Sequence, residues 1–151
     1  MGYGFPAAIG AKLGRPDKVV FDISGDGSFQ MNSQEMATIV QNDIPIIIAL
    51  FNNGYLGMVR QWQALFFEHR YSHTTIEDSV DFVKLAEAYG AQGLKAMGYD
   101  EVPDAIEEAL AYDGPSVIDF RVDPEENVYP MVPSGADNSR FALNEGHLEE
   151  I

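Results

Sequence analysis

The chain has 151 residues, 24 acidic against nine basic side chains, a formal net charge of −15 and no cysteine. That length fits one domain able to bury roughly 68–70% of its unfolded surface, and the missing cysteine excludes disulfides, thiolate zinc sites and a cysteine nucleophile. The acidic excess argues against nucleic acid and anionic membrane partners, which need clustered Lys and Arg, and no stretch approaches the ~20 apolar residues of a membrane span, so a soluble, cytoplasmic protein is expected.

In chain order, a Gly-rich opening (Met1-Gly2-Tyr3-Gly4) leads into a small-residue helix, Pro6-Ala7-Ala8-Ile9-Gly10-Ala11, which Gly14-Arg15-Pro16 ends. A strand is predicted over 18–23, a turn over Gly25-Asp26-Gly27-Ser28, a helix over 33–42 and a second strand over 46–51. A helix follows Asn52-Asn53-Gly54 over 57–67, and another over 80–89, where Val80, Val83, Leu85 and Ala86 share a face before Gly90. Residues 91–97 read as a weak strand, 102–112 as a helix and 116–122 as a final strand. Its alternation of Val117, Asp119 and Arg121 with Ile118, Phe120 and Val122 suggests a sheet edge. Alternating strands and helices imply an open parallel α/β sheet flanked by helices. The opening loop should itself follow a strand, so a domain truncated at its amino-terminal edge is expected. The segment from Asp123 carries three prolines and is expected to wrap the surface or reach a partner.

Two short polar segments carry the chemistry. Asp26 and Asn53 each follow a β-branched run, with room for one crossover helix between them. Such a unit makes the strands parallel, so both residues emerge at the carboxyl edge of one sheet, where ligands bind in open α/β folds. Neighbouring strands are about 4.8 Å apart, which lets an Asp and an Asn converge on a hard cation such as Mg²⁺ that keeps positions open for phosphate oxygens. Taken singly, each segment is an ordinary turn. His69 and His73 are four apart, but Tyr71-Ser72 and Thr74-Thr75 make a poor helix there and no third zinc ligand is apparent. His147 and the pairs Glu125-Glu126 and Glu149-Glu150 read as solvated.

The Gly-Asp-Gly turn followed by paired asparagines resembles the thiamine diphosphate and Mg²⁺ motif of thiamine-dependent enzymes. The words MGYGFPAAIGAKLG, GDGSFQMNSQEMATIVQNDIPI and NNGYLGMVRQWQ are similar to the carboxyl-terminal cofactor domain of the acetolactate synthase (acetohydroxyacid synthase) catalytic subunit. The resemblance covers residues 1–133, read as a partial thiamine diphosphate/Mg-binding domain, and Met58-Val59-Arg60-Gln61-Trp62-Gln63 is its most specific part. Residues 134–151 form a tail that departs from the usual short ending.

The resemblance implies Mg²⁺ ligation by Asp26, Asn53 and the backbone carbonyl of Tyr55. It implies diphosphate donors at Gly25, Gly27, Ser28, Leu56 and Gly57, with Met1 under the thiamine rings, Met58 against the pyrimidine and Trp62 lining the substrate channel. Read from the residues alone, Met1 is an initiator, Met58 a gap-filler and Trp62 a core anchor. The implied activity is decarboxylation of pyruvate and ligation to a second 2-keto acid, in branched-chain amino acid biosynthesis. No catalytic side chain is expected in this chain, because the family's activating glutamate and most of its FAD site lie on amino-terminal and middle domains absent here. The implied partners are those domains, a homodimer or tetramer, and a regulatory subunit. The alternatives are another thiamine diphosphate enzyme (pyruvate oxidase, decarboxylase or glyoxylate carboligase) and a non-catalytic assembly module.

Overall fold

The computed structural model describes residues 1–76 and 80–144 in full and the backbone of 147–150. Residues 77–79, 145, 146 and 151, and the expectations for the His147 and Glu149-Glu150 side chains, lie outside the described residues. The chain divides into two compact units. The first comprises Met1–Tyr55 and Ile76–Asp123, the second Leu56–Thr75 and Pro124–Ile151. No helix among the described residues is long and apolar enough to cross a membrane.

The first unit is a four-stranded, wholly parallel sheet flanked by helices, the architecture expected. Helix α1 (Gly4–Gly14) precedes strand β1 (Phe21–Gly25), and the Gly-Asp-Gly segment starts a short helix, α2 (Asp26–Gln30), rather than forming an isolated turn. A 3-10 turn at Ser33–Glu35 leads into α3 (Met36–Gln41) and then β2 (Ile47–Asn52). In the second unit α4 spans Gly57–Phe66. The first unit resumes with α5 (Phe82–Tyr89), β3 (Gln92–Ala96), α6 (Val102–Ala111) and β4 (Ser116–Arg121).

Local chemistry explains several boundaries. Asp81 accepts the Lys84 N–H as the N-cap of α5, and Gly90, at φ 91°, ends that helix in the left-handed conformation a side chain disfavours. Pro103 sits in the first turn of α6, where the missing N–H costs nothing.

The strand order is β1-β2-β4-β3. This corrects the expectation of an edge position for the last strand: β4 lies between β2 and β3, and Ser116 to Asp119 are all buried. Asp119, a polar member of its alternation, is buried rather than turned to water, so a period of two did not mark an edge. The weaker β3 occupies that edge.

The larger core lies on one sheet face. There Ile46, Ile48, Leu50 and Val117 meet Phe5 and Ala8 of α1, Phe29 of α2, Met36 and Ile39 of α3, and Phe82 and Ala86 of α5. Phe29 anchors it, with ring centroids 5.4 Å from Phe5 and 6.0 Å from Phe82. The opposite face is smaller, with Ile47 and Ile118 against Ala105 and Ala109 of α6.

The second unit joins α4 to the segment after Asp123 through paired polar contacts. Gln61, almost wholly buried, donates from Nε2 to the Val128 carbonyl and accepts the Val128 N–H at Oε1, both at 2.9 Å. Arg60 pairs with Glu125 at 2.8 Å and lies 4.8 Å from the Tyr71 ring centroid. The tail then forms a two-stranded antiparallel hairpin, β5 (Arg140–Asn144) with β6 (His147–Glu150), and Met131 pairs with Ala142.

Candidate functional site

The polar site grows out of the register of β1 and β2. Ser24 pairs with Leu50 and Gly25 with Phe51, so the two strands end level and both chains turn at the same sheet edge. Asp26 begins α2 there, and Asn52-Asn53-Gly54 leaves β2 beside it. Gly54, at φ 72°, turns its N–H onto Asp26 Oδ2 at 2.8 Å, while Gly27 N–H reaches Asp26 Oδ1 at 2.8 Å. The two segments singled out in the sequence are thereby joined by a direct hydrogen bond. Asn53 Oδ1 accepts the Tyr55 N–H at 3.0 Å, which fixes the side-chain oxygen in an Asx turn.

Asp26 is only 3% exposed. Burial pushes its carboxyl above the ordinary carboxylate range, the N–H groups of Gly27 and Gly54 pull it back, Asp119 raises it and Arg121 lowers it. Asp119 was missed as a site residue, since its place in an alternating run read as a solvent-facing position. It is 4% exposed, and its Oδ1 has no hydrogen-bond partner.

A second buried carboxylate, Asp22, accepts the Ser24 hydroxyl at 2.7 Å and lies against the start of α1. A Cβ at Gly4 would stand 2.5 Å from Asp22 Oδ1, which accounts for that glycine by packing. Gly2, at φ 73°, donates its N–H to Ser28 Oγ at 2.9 Å and accepts a hydrogen bond from Asn32 Nδ2, so the opening loop is tied to the segment after Asp26. Met1 beside it is 75% exposed.

The donor set fits a hard cation. Each Asp26 oxygen accepts one backbone N–H, and a carboxylate has about four acceptor positions, so both oxygens retain capacity. The Asn53 oxygen and nearby backbone carbonyls add neutral oxygen donors of the kind Mg²⁺ takes. Two buried carboxylates with few compensating charges also call for a positive partner. Among the described residues no group of three or more His, Asp or Glu side chains could hold a metal, and His69 Nδ1 lies 3.1 Å from the Tyr71 hydroxyl instead.

Of the expected phosphate donors, the Gly27 N–H is directed at Asp26 and Ser28 Oγ receives Gly2, leaving the Ser28 hydroxyl proton for a further acceptor. Gly25 caps α2 in extended conformation, with φ −78° and ψ 157°. In the second unit, the Leu56 N–H donates to the Thr74 carbonyl at 2.8 Å. Gly57 opens α4, where a first-turn N–H has no partner within the helix.

Along α4, Met58, Val59 and Trp62 line an open cleft of about 640 Å³ together with Gln63, Phe67, Arg70 and Ser72. Trp62 is 43% exposed and meets Phe66 edge-on, with ring centroids 6.1 Å apart. It is a cleft wall rather than a core anchor.

Comparison with known proteins agrees with this geometry. The family model described as the thiamine pyrophosphate enzyme, C-terminal TPP binding domain, matches residues 1–120. The chain is 50% identical over 141 residues to the acetolactate synthase isozyme 2 large subunit of Escherichia coli (strain K12), covering 93% of this chain and 26% of that protein. It is 49% identical over 135 residues to the probable acetolactate synthase large subunit of Methanocaldococcus jannaschii, covering 89% and 23%. Among solved structures, the thiamine diphosphate-dependent 4-hydroxybenzoylformate decarboxylase of Rhodococcus jostii RHA1 superposes with a TM-score of 0.75 at 33% identity, over 82% of this chain and 23% of the other. The chain thus spans about a quarter of the length of the relatives it matches. With its parallel sheet and its joined Gly-Asp-Gly and Asn-Asn-Gly loops, the chain belongs to the family of C-terminal thiamine pyrophosphate binding domains of thiamine pyrophosphate enzymes.

Proposed function

We propose that this chain is the thiamine diphosphate-binding part of an acetolactate synthase catalytic subunit, acting on pyruvate and a second 2-keto acid. The observation that carries the site is the hydrogen bond from Gly54 N–H to Asp26, which makes one oxygen-rich locus of two loops. The relatives of about 50% identity, which share nearly the whole chain, favour the synthase over other thiamine enzymes.

Asp26, Asn53 and the Tyr55 carbonyl would hold Mg²⁺, which neutralises a diphosphate that an acidic chain otherwise repels. Gly25, Gly27 and Ser28 would give the diphosphate its nearby donors, with Leu56 and Gly57 as the donors contributed from the following segment. In this assignment Met1 and Met58 provide apolar support for the cofactor rings, and Trp62 lines the channel for the second keto acid. Bound thiamine diphosphate supplies the carbanion chemistry of decarboxylation and ligation. The residues of this chain bind and orient it; no side chain here transfers a proton in the reaction, so a glutamate from another domain completes the site. The working enzyme is a cytoplasmic homodimer or tetramer with amino-terminal and middle domains, FAD on the middle domain and a regulatory subunit as a further partner.

Calorimetric titration of the longer enzyme with thiamine diphosphate and Mg²⁺ tests the site. Asp26→Ala should abolish Mg²⁺-dependent binding, and unchanged affinity would refute the assignment. Product analysis with pyruvate tests the reaction: acetolactate is expected, and acetaldehyde or acetyl phosphate in its place would assign the chain to a different thiamine enzyme. Trp62→Leu should leave cofactor affinity nearly intact and weaken inhibition by channel-directed herbicides; equal inhibitor sensitivity would remove Trp62 from the channel.

A further inference from the structure

One buried charge has no role in the assignments above. Asp119 stands in the fourth row of the register, which runs Ser24, Leu50, Asp119, Lys95 across the four strands. Residues paired in a parallel sheet share a face, so Asp119 lies on the Leu50 side, the face of the larger core. The next row pairs Gly25 with Phe51 and Phe51 with Phe120, and the row after it pairs Asn52 with Arg121; beyond these the chain leaves the sheet at Asp26 on β1 and at Asn53 on β2. Asp119 therefore sits two rows behind the edge that carries the cation donors.

An ionised carboxylate at that depth is costly unless it is paired. Asp119 is 4% exposed, its Oδ1 accepts no hydrogen bond, and Lys95, its register neighbour, is exposed and forms no ion pair with it. Nothing described in the protein compensates this oxygen. Strand spacing of about 4.8 Å and a rise of about 3.3 Å per residue nevertheless put its backbone roughly 11–12 Å from those of Asp26 and Asn53. Across a poorly solvated interior a negative charge at that distance favours a positive one at the sheet edge.

We infer that Asp119 is a positioning residue of the cation site, whose buried, unpaired carboxylate adds negative charge behind Asp26 and Asn53 and so holds a divalent cation there. This rests on the assignment of Asp26 and Asn53 as cation ligands. Asp119 acts through space and need not touch the ion. A charge behind the ligands also explains how a site with a single carboxylate ligand competes for a hydrated Mg²⁺, since Coulomb attraction in a poorly solvated interior far exceeds that in water.

The test uses the longer enzyme with thiamine diphosphate present and Mn²⁺ as the probe, read by loss of the free-ion paramagnetic resonance signal. Four proteins are compared: wild type, Asp119→Asn, Asp119→Glu and Asp26→Ala. Asp119→Asn removes the charge and keeps the shape, and should weaken Mn²⁺ binding by at least about fivefold. Its melting temperature without metal should be equal to or above that of wild type, because a buried charge has gone. Asp119→Glu restores the charge and should return affinity to within about twofold of wild type, a rescue that a purely structural role would not produce. The inference is overturned if Asp119→Asn binds Mn²⁺ as wild type does while Asp26→Ala has lost it, or if both Asp119 variants lose binding equally. If wild type itself takes up no Mn²⁺ with thiamine diphosphate, the cation assignment of Asp26 fails instead.

Discussion

At the scale of single residues, three aspartates are almost completely buried, and each is handled differently. Asp26 receives two backbone N–H groups, Asp22 one hydroxyl, and Asp119 has an oxygen with no partner. Burial raises the Asp22 carboxyl above its ordinary value of 3.8, and the Ser24 hydroxyl only partly offsets this. A raised carboxyl binds protons more tightly in the folded chain than in the unfolded one, so its contribution favours folding below the unfolded value and is lost as pH rises through the folded value. Asp22→Asn should therefore raise the melting temperature at pH 7 and change it little near pH 3, where the wild-type side chain is protonated in both states. Equal gains at both pH values would mean that packing, not charge, governs this position. Asp26 and Asn53 were legible in the sequence because their loops carry glycines in a recognisable spacing. Asp119 was not, because a lone aspartate in an alternating strand looks the same whether it faces water or a buried layer.

Among the elements, the helices were the most legible parts of the chain, since their apolar spacing and Gly or Pro ends state the boundaries directly. The strand order was not, because order depends on which surfaces pack, and a one-dimensional pattern carries no information about neighbours. Gly93 shows how close that packing is. A Cβ there would stand 2.6 Å from the Val83 carbonyl oxygen and 3.0 Å from Val83 Cα, so α5 rests directly on the backbone of β3. Gly93→Ala should cost about 1–3 kcal/mol as α5 is pushed outward, measured by denaturant unfolding; an unchanged midpoint would show that the helix shifts freely. In the second unit, Gln61 satisfies both backbone groups of Val128. Gln61→Leu fills similar volume but leaves those groups unpaired, at a cost of about 1–3 kcal/mol. Hydrogen exchange at the Val128 amide should accelerate accordingly, and an unaltered rate would show that this clamp does not hold the segment.

For the whole molecule, the first unit's sheet is unevenly covered. On the face that carries α6, helix packing reaches β3 and β4, whereas Phe21 and Ile23 of β1 and Phe51 of β2 remain 39%, 67% and 47% exposed. Register places Phe21 beside Ile47, Ile23 beside Ala49, and Gly25 beside Phe51, so these side chains form one continuous apolar strip. β1 is also the outer strand, with a free hydrogen-bonding edge. A chain that spans a quarter of its relatives' length presents such a surface where further polypeptide is proposed to pack. The net charge of −15 works against self-association at low ionic strength, whereas apolar contact is not weakened by salt and the repulsion is. Sedimentation velocity of the isolated chain should therefore show a larger associated fraction at 0.5 M than at 0.02 M NaCl, concentrations chosen to bracket a Debye length of roughly 10 Å. Ile23→Lys, which places a charge in the middle of the strip, should reduce that fraction without lowering the melting temperature, because Ile23 contributes little buried area to the fold. A wild-type chain that stays monomeric at both salt concentrations would show that the strip is not an association surface, and association unaffected by Ile23→Lys would place that surface elsewhere on the molecule.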